Sequence, residues 1–343
     1  MFKRILVPLD GSNRAERAIP VAARLARASG GSIILLQVRS AAIGPYLVPQ
    51  PTLAQAATNA DLAEAEQYLA GIATSTDLDG IPTETAVLFG PAAPAILAVA
   101  HSFHADLIVL CSHGYTGMTR WVMGSVAEKV ARHAPVPVFV LREGGPIPAH
   151  PHPDATRPLR ALVALDGSAL AKAALEPAAS LIAALAAPAP GALHLARVVK
   201  PVTSDHEETA LEESEESEQG LYKAKGYLSA TLDHIREGLV APAIADLKLT
   251  ITWSVAVDTD VAEGLIRVAE NGEDAEGAGV FGGCDVIAMA THGYGGIQRW
   301  AMGSITERVL TATRLPLLIV RPPDMMDRSS VAWDKITIAA MQA

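Results

Sequence analysis

With 343 residues the chain has room for two ordinary domains, and half of it is apolar against 19% charged and 4% aromatic. That balance excludes a wholly disordered chain, and a formal charge of −10 argues against a protein that grips nucleic acid through a basic face. The alanine-rich apolar stretches are broken by Pro and Glu, as between Ala173 and Leu195, so no membrane span is expected.

The opening MFKRILVPLD holds an apolar run too short for a signal peptide, so the chain is expected to be cytoplasmic. Ile5 to Leu9, Ser32 to Val38, Glu84 to Phe89, Leu107 to Cys111 and Val136 to Leu141 read as strands of mostly continuous apolar character. Such runs suit a parallel sheet covered on both faces. Between them, Asn13 to Ser29, Leu53 to Ile72, Ala92 to Phe103 and Ser125 to His133 carry helical spacing, and the first is expected to stop at Gly30-Gly31. In the second half, strands are expected at Leu162 to Leu165, Leu193 to Val199, Thr250 to Val257, Val286 to Ala290 and Leu317 to Arg321. Strand alternating with helix means an α/β fold with an open, mostly parallel, doubly wound sheet.

The two halves are copies. RILVPLDGS at 4–12 matches RALVALDGS at 160–168, and HGYTGMTRWVMGS at 113–125 matches HGYGGIQRWAMGS at 292–304 with nine of thirteen positions identical. The expected organisation is a domain at 1–142, a Pro- and Gly-rich linker at 143–158, a second domain at 159–322 and a tail at 323–343. Seven of the twelve residues from Glu207 to Glu218 are Glu, which reads as a loop or the solvated start of a helix. The Gly- and acid-rich insert Asn271 to Gly283 lengthens the approach to a strand.

There is no P-loop, no dinucleotide G-x-G-x-x-G lies between the first strand and the first helix, His206-Glu207 does not continue into a zincin motif, and no G-x-S-x-G elbow occurs. What remains is the doubled segment. Gly114, Gly117 and Gly124 lead into Ser125, and Gly293, Gly296 and Gly303 into Ser304, so a glycine-rich loop feeds a helix N-terminus where an anion is favoured. The alternative is that Ser125-x-x-Glu128 is a capping box and the loop needs its glycines without any ligand. Asp10 and Asp166 end the first strand of each half, and in a doubly wound sheet they share a crevice with that loop, as a nucleotide site would require. They could instead cap the following helix or fix a turn.

These motifs resemble the universal stress proteins, whose signature is an Asp after the first strand and G-x2-G-x9-G-[ST] after the fourth, on an adenine-nucleotide α-hydrolase-like fold. Gly114 and Gly293 match the second glycine, and Gly124-Ser125 and Gly303-Ser304 the end, while Cys111 and Ala290 stand where the first glycine is usual. The resemblance implies one site at Asp10, Val38, Gly114, Gly117, Gly124 and Ser125, and another at Asp166, Val198, Gly293, Gly296, Gly303 and Ser304. It associates the Asp with ribose, the end of the second strand with adenine and the glycine loop with phosphates. The implied ligand is ATP with Mg²⁺, with AMP and cyclic AMP as alternatives. The implied partners are adenine nucleotide rather than nucleic acid or membrane, with an internal pseudo-dimer through the last strands and a homodimer of chains compatible with it.

No catalytic residue and no protein-held metal are expected. His113 and His292 could act as bases in a slow ATPase or nucleotidyl-transfer enzyme, but a conformational or phosphate-contacting role suits the resemblance better. Arg120 and Arg299 could meet phosphates or solvent, and Trp121 and Trp300 read as loop anchors. Cys111 and Cys284 read as reduced, inert thiols, and His150 and His152 pair only by proximity. A third reading makes the loops vestigial and the protein a protein-interaction module.

Overall fold

A computed structural model describes residues 2–39, 51–112, 123–146, 148, 157–202, 210–292 and 302–322, with side chains at 51–58 and 210–214 left aside. The chain forms two compact units, one within Phe2–Ala149 and the other within His150–Met325. The linker histidines His150 and His152, the tail and most of both glycine-rich loops lie outside the described residues.

The first unit comprises β1 (Arg4–Leu9), α1 (Asn13–Glu16), α2 (Ala18–Ser29), β2 (Ser32–Arg39), α3 (Pro51–Ala73), β3 (Thr83–Phe89), α4 (Ala92–Ser102), β4 (Leu107–Cys111), α5 (Ser125–His133) and β5 (Val138–Leu141). Its strands run in the order β3-β2-β1-β4-β5, all parallel. Ile5, Leu6, Val7, Ile33 to Leu36 and Leu107 to Val109 are fully buried, as they must be where both faces of a central strand are covered. β3 lies at an end of that order and leaves Glu84 and Thr85 exposed. Glu84 pairs with Arg4 at 3.0 Å.

The stretch expected to be one helix from Asn13 to Ser29 is two. Pro20 lacks the N–H that would bond Glu16, and its ring crowds that carbonyl, so the first turn ends at Glu16 and a new helix starts at Ala18. Gly30, at φ +60°, then closes α2, with the Gly31 N–H on Ala26 O at 2.9 Å, the left-handed stop anticipated for Gly30-Gly31.

The second unit repeats the plan with β6 (Arg160–Ala164), α6 (Leu175–Ala186), β7 (Gly191–Val199), α7 (Ala210–Arg236), β8 (Leu249–Val257), α8 (Val261–Asn271), β9 (Asp274–Ala275), β10 (Gly279–Val280), β11 (Val286–Ala290), α9 (Ser304–Ala312) and β12 (Leu317–Val320). Its main strands run β8-β7-β6-β11-β12, again parallel. A 3-10 turn at Ala171–Ala174 precedes α6, and Pro177 breaks the path to Ala173 as Pro20 does in the first unit. The acidic block resolves in favour of helix, since α7 begins at Ala210.

One feature of the second unit escaped the sequence reading. The insert after α8 is an antiparallel hairpin, β9 with β10, that carries Phe281 onto the sheet. There the Phe281 ring lies 4.1 Å from His194, with the Arg160 guanidinium 4.7 Å above it. Lys225 of α7 pairs with Glu276 in the hairpin turn. Gly272 makes the entry possible. Its φ is +81°, and a Cβ there would stand 1.7 Å from the Phe281 carbonyl oxygen, closer than any rearrangement of side chains can relieve. Gly272→Ala should therefore lower stability by at least about 3 kcal/mol in urea denaturation, whereas an unchanged midpoint would show that the hairpin does not close on Gly272.

Candidate functional site

In both units the strand order reverses beside the first strand. β1 lies between β2 and β4, so the chain leaves the carboxyl end of β1 towards one side and that of β4 towards the other. A crevice opens between two such divergent connections, and β6 with β11 forms its counterpart. Asp10 follows β1 directly and Asp166 follows β6 after Leu165, and the glycine-rich segments follow β4 and β11.

The two aspartates sit in the same local structure. Asp10 Oδ1 accepts from the Ser12 N–H at 3.0 Å and the Ser12 hydroxyl at 2.6 Å, while Ser12 Oγ accepts from the Ala15 N–H at 3.2 Å and caps α1. Asp166 Oδ1 accepts from the Ser168 N–H at 2.9 Å, and Ser168 Oγ from the Ala171 N–H at 3.1 Å. Gly11 at φ +83° and Gly167 at φ +98° supply the left-handed turn. Of the two bland roles open to the aspartates, the turn is therefore real, and the cap of α1 belongs to Ser12. Both carboxylates remain exposed at the crevice mouth.

The glycine-rich segments are pinned at their bases in matching fashion. The Gly124 N–H donates to Ser112 O at 2.7 Å, and the Gly303 N–H to Thr291 O at 2.8 Å. Each helix then starts from a glycine cap in extended conformation, Gly124 at ψ 143° and Gly303 at ψ 142°. This corrects the capping-box alternative: Ser125 and Ser304 are the first helical residues, not the caps. Glu128 pairs with Arg132 at 2.7 Å instead of reaching back. A glycine cap brings no side-chain acceptor to the first-turn N–H groups, which leaves the end of α5 and α9 suited to an external anion. Ser125 and Ser304 are exposed there.

Gly114, Gly117, Gly293 and Gly296 lie outside the described residues, as do His113, Arg120, Trp121, Arg299 and Trp300. His292 is described and buried. Its Nδ1 lies 3.0 Å from Thr291 Oγ1, and its Nε2 is buried with no hydrogen-bond partner among the described residues. Val38 is half-buried on β2, opposite Leu88 of β3. Val198 holds the same place on β7, but its methyls pack towards α8, where a Cβ on Gly264 would meet Val198 Cγ1 at 2.9 Å.

The residues that sequence reasoning missed stand one position earlier. Gln37 and Arg197 each lie beside the glycine of the Asp turn. The Gln37 amide nitrogen would stand 3.5 Å, and an Arg197 Nη1 3.1 Å, from a Cβ on Gly11 or Gly167 respectively. A polar residue at the end of an otherwise apolar strand was the available signal.

Cys111 carries no reactive thiol. Its Sγ lies 4.0 Å from Ala15 O, and burial pushes the thiol up to about 12, as it does for Cys284. Neither is a thiolate at neutral pH, in keeping with inert structural cysteines. Among the described residues no helix is long and apolar enough to cross a membrane, and no cluster of three or more His, Cys, Asp or Glu could hold a metal.

The universal stress protein family model matches residues 1–142 and 159–321. A universal stress protein of Thermus aquaticus is 35% identical over 143 residues, 41% of this chain and 100% of its own length. One of Methanocaldococcus jannaschii is 28% identical over 144 residues, 42% of this chain and 84% of its own. Among solved structures, a universal stress protein from Archaeoglobus fulgidus covers 93% of this chain and 98% of its own at TM-score 0.56 and 18% identity. A functionally unknown protein from Pseudomonas aeruginosa covers 98% of each chain at TM-score 0.55 and 16% identity, a likeness of fold. The doubled Asp turn and glycine-capped helix on repeated parallel sheets thus agree with the doubled family match, and the chain belongs to the universal stress protein family as a tandem of two such domains.

Proposed function

We propose that each domain binds an adenine nucleotide at the carboxyl ends of its strands, and that the protein acts as a nucleotide-dependent regulator in the stress response. Asp10 or Asp166 would take the ribose hydroxyls, and the β2 or β7 end at Val38 or Val198 the base. The first turn at Gly124-Ser125 or Gly303-Ser304, with the loop glycines Gly114 and Gly117 or Gly293 and Gly296, would take the phosphates. ATP with Mg²⁺ is the leading ligand, the ion travelling with the triphosphate. AMP would use the same sugar and base contacts, and cyclic AMP the base contact with its single free 2′-hydroxyl.

The single observation that carries this reading is the coincidence, made twice, of an exposed carboxylate and a helix start without a side-chain cap at a strand-order reversal. Each half of that pair is commonplace, whereas their repetition on divergent sequence is what a binding crevice demands. Regulation by binding needs only that the filled and empty states differ in affinity for a partner, and no turnover is required.

The test is native mass spectrometry of freshly isolated protein, then of protein equilibrated with ATP and Mg²⁺. Added mass equal to one or two nucleotides per chain is expected. A bare chain under both conditions would reject the nucleotide reading in favour of a protein-interaction module, and steady conversion of ATP to ADP would replace it by the enzyme.

A further inference from the structure

The two crevices are built on one backbone plan but carry opposite chemistry beside the Asp turn. The LDGS repeat and the strand register align Glu16 with Lys172 and Gln37 with Arg197. Tyr68-Leu69 and Tyr227-Leu228 align through their fully buried leucines.

In the first crevice Tyr68 donates to Glu16 Oε1 at 2.9 Å. Gln37 is only 3% exposed, and its Oε1 is buried with no hydrogen-bond partner among the described residues. This corner offers an unmet acceptor and two carboxylates, Asp10 and Glu16. The cations nearby are engaged elsewhere: Arg14 pairs with Glu143 at 3.1 Å, and Arg17 donates to Gly145 O at 3.0 Å.

In the second crevice the carboxylate and the amide are both replaced by cations. Lys172 Nζ lies 5.1 Å and Arg197 Cζ 5.3 Å from the centroid of the Tyr227 ring, so two like charges share one aromatic face system. Asp166 is the carboxylate that acts on the same ring as Arg197. The Arg197 guanidinium also lies over Gly167, next to the Asp166 turn. Both cations reach the same ring, and a guanidinium fork is shaped for phosphate. Dinucleotide sites follow the same rule: an acid receives a bare ribose, while an arginine nearby accommodates a phosphate on it.

We propose that the two crevices select different ligands: the second takes an adenosine ligand bearing an extra phosphate on its ribose, held by Arg197 and Lys172 beside Gly167. The first, with Gln37 and Glu16 in those places, takes an unmodified ribose. The inference rests on the adenine-nucleotide reading above.

Calorimetry on the full chain with AMP, adenosine 2′,5′-bisphosphate and adenosine 3′,5′-bisphosphate tests it. At least one bisphosphate is expected to bind one equivalent per chain about tenfold or more tightly than AMP, the gain of one charge-assisted contact, and the two isomers locate the phosphate. Arg197→Gln should bring bisphosphate and AMP within about twofold of each other. Lys172→Glu gives the same readout from a half-exposed position if Arg197→Gln melts early. Equal affinities for AMP and both bisphosphates in the unsubstituted chain would overturn the inference and leave the nucleotide reading standing. Failure of every adenosine ligand to bind would overturn that reading itself, and the inference with it.

Discussion

Gly303→Trp is expected to remove the second-domain nucleotide equivalent, lowering calorimetric stoichiometry for ATP by one per chain. Gly303 has φ −59° and ψ 142°, a conformation open to any residue, so the substitution does not strain the backbone. Its Cβ would stand 3.3 Å from Thr291 O and 4.0 Å from Thr306 Oγ1, contacts relieved by a shift of a few tenths of an ångström. The indole adds a bulky ring at the residue that caps α9, where the phosphates are proposed to sit. Losing two charge-assisted hydrogen bonds there corresponds to about 100-fold or more in affinity, which takes the site out of the calorimetric window. Gly124→Trp should do the same in the first domain, and the double variant should bind nothing. Far-UV circular dichroism and thermal melts confirm that each variant is folded. Two equivalents bound by folded Gly303→Trp would place the phosphates somewhere other than this helix start.

The second large effect is a loss of stability in mild acid that traces to His194. This imidazole is fully buried on β7, with Nδ1 2.9 Å from Thr252 Oγ1 and Nε2 2.9 Å from Ser254 Oγ. Burial first, and the charge of Arg160 second, lower its pKa from 6.5 to about 3. In the unfolded chain the ring protonates near 6.5, so below that pH the unfolded state binds a proton that the folded state refuses. Stability from this group is therefore complete above about pH 7 and falls as pH drops from 6.5 towards 3, at up to about 1.4 kcal/mol per unit. By pH 5 the loss is about 2 kcal/mol. His194→Gln keeps a polar side chain between the two hydroxyls and cannot titrate. Guanidinium denaturation should show the unsubstituted chain more stable at pH 7, with its advantage over the variant shrinking by about 2 kcal/mol at pH 5. Carboxylates common to both chains cancel in that difference. A pH-independent difference would mean that His194 is charged or solvated in the fold.

Most of the strands were legible because their apolar runs are dictated by coverage on both faces, a demand each run meets by itself. Leu107–Cys111 and Val286–Ala290 begin and end where the sequence predicts, while β5 starts at Val138 rather than Val136. The break at Arg17 was readable in principle, since Pro20 cannot sit a full turn inside a helix, but the apolar periodicity runs on through it and masks the stop. The hairpin after α8 was not readable, because two-residue strands carry no periodicity. Its closure depends on a backbone contact between Gly272 and Phe281 that composition does not announce.

The site divides the same way. Asp10, Asp166 and the doubled glycine motifs stood out by repetition. The pattern S-x-x-E could not say which residue departs from helical angles, and the structure gave that place to Gly124 and Gly303. Gln37 and Arg197 were passed over because a single polar residue near a strand end looks like ordinary solvation. Only the fold reveals that it lies beside the glycine of the Asp turn.

The sequence by itself determined the duplication, the parallel α/β class and the order of the motifs, because hydrophobic periodicity and repeats are properties of contiguous chain. The tertiary structure alone decided which side chains meet at each crevice. Glu16 with Tyr68, and Lys172 and Arg197 with Tyr227, are brought together from different elements by strand register and helix packing. Hydrogen bonds and charge–ring contacts act only over a few ångströms, so their partners exist only once distant segments are packed side by side.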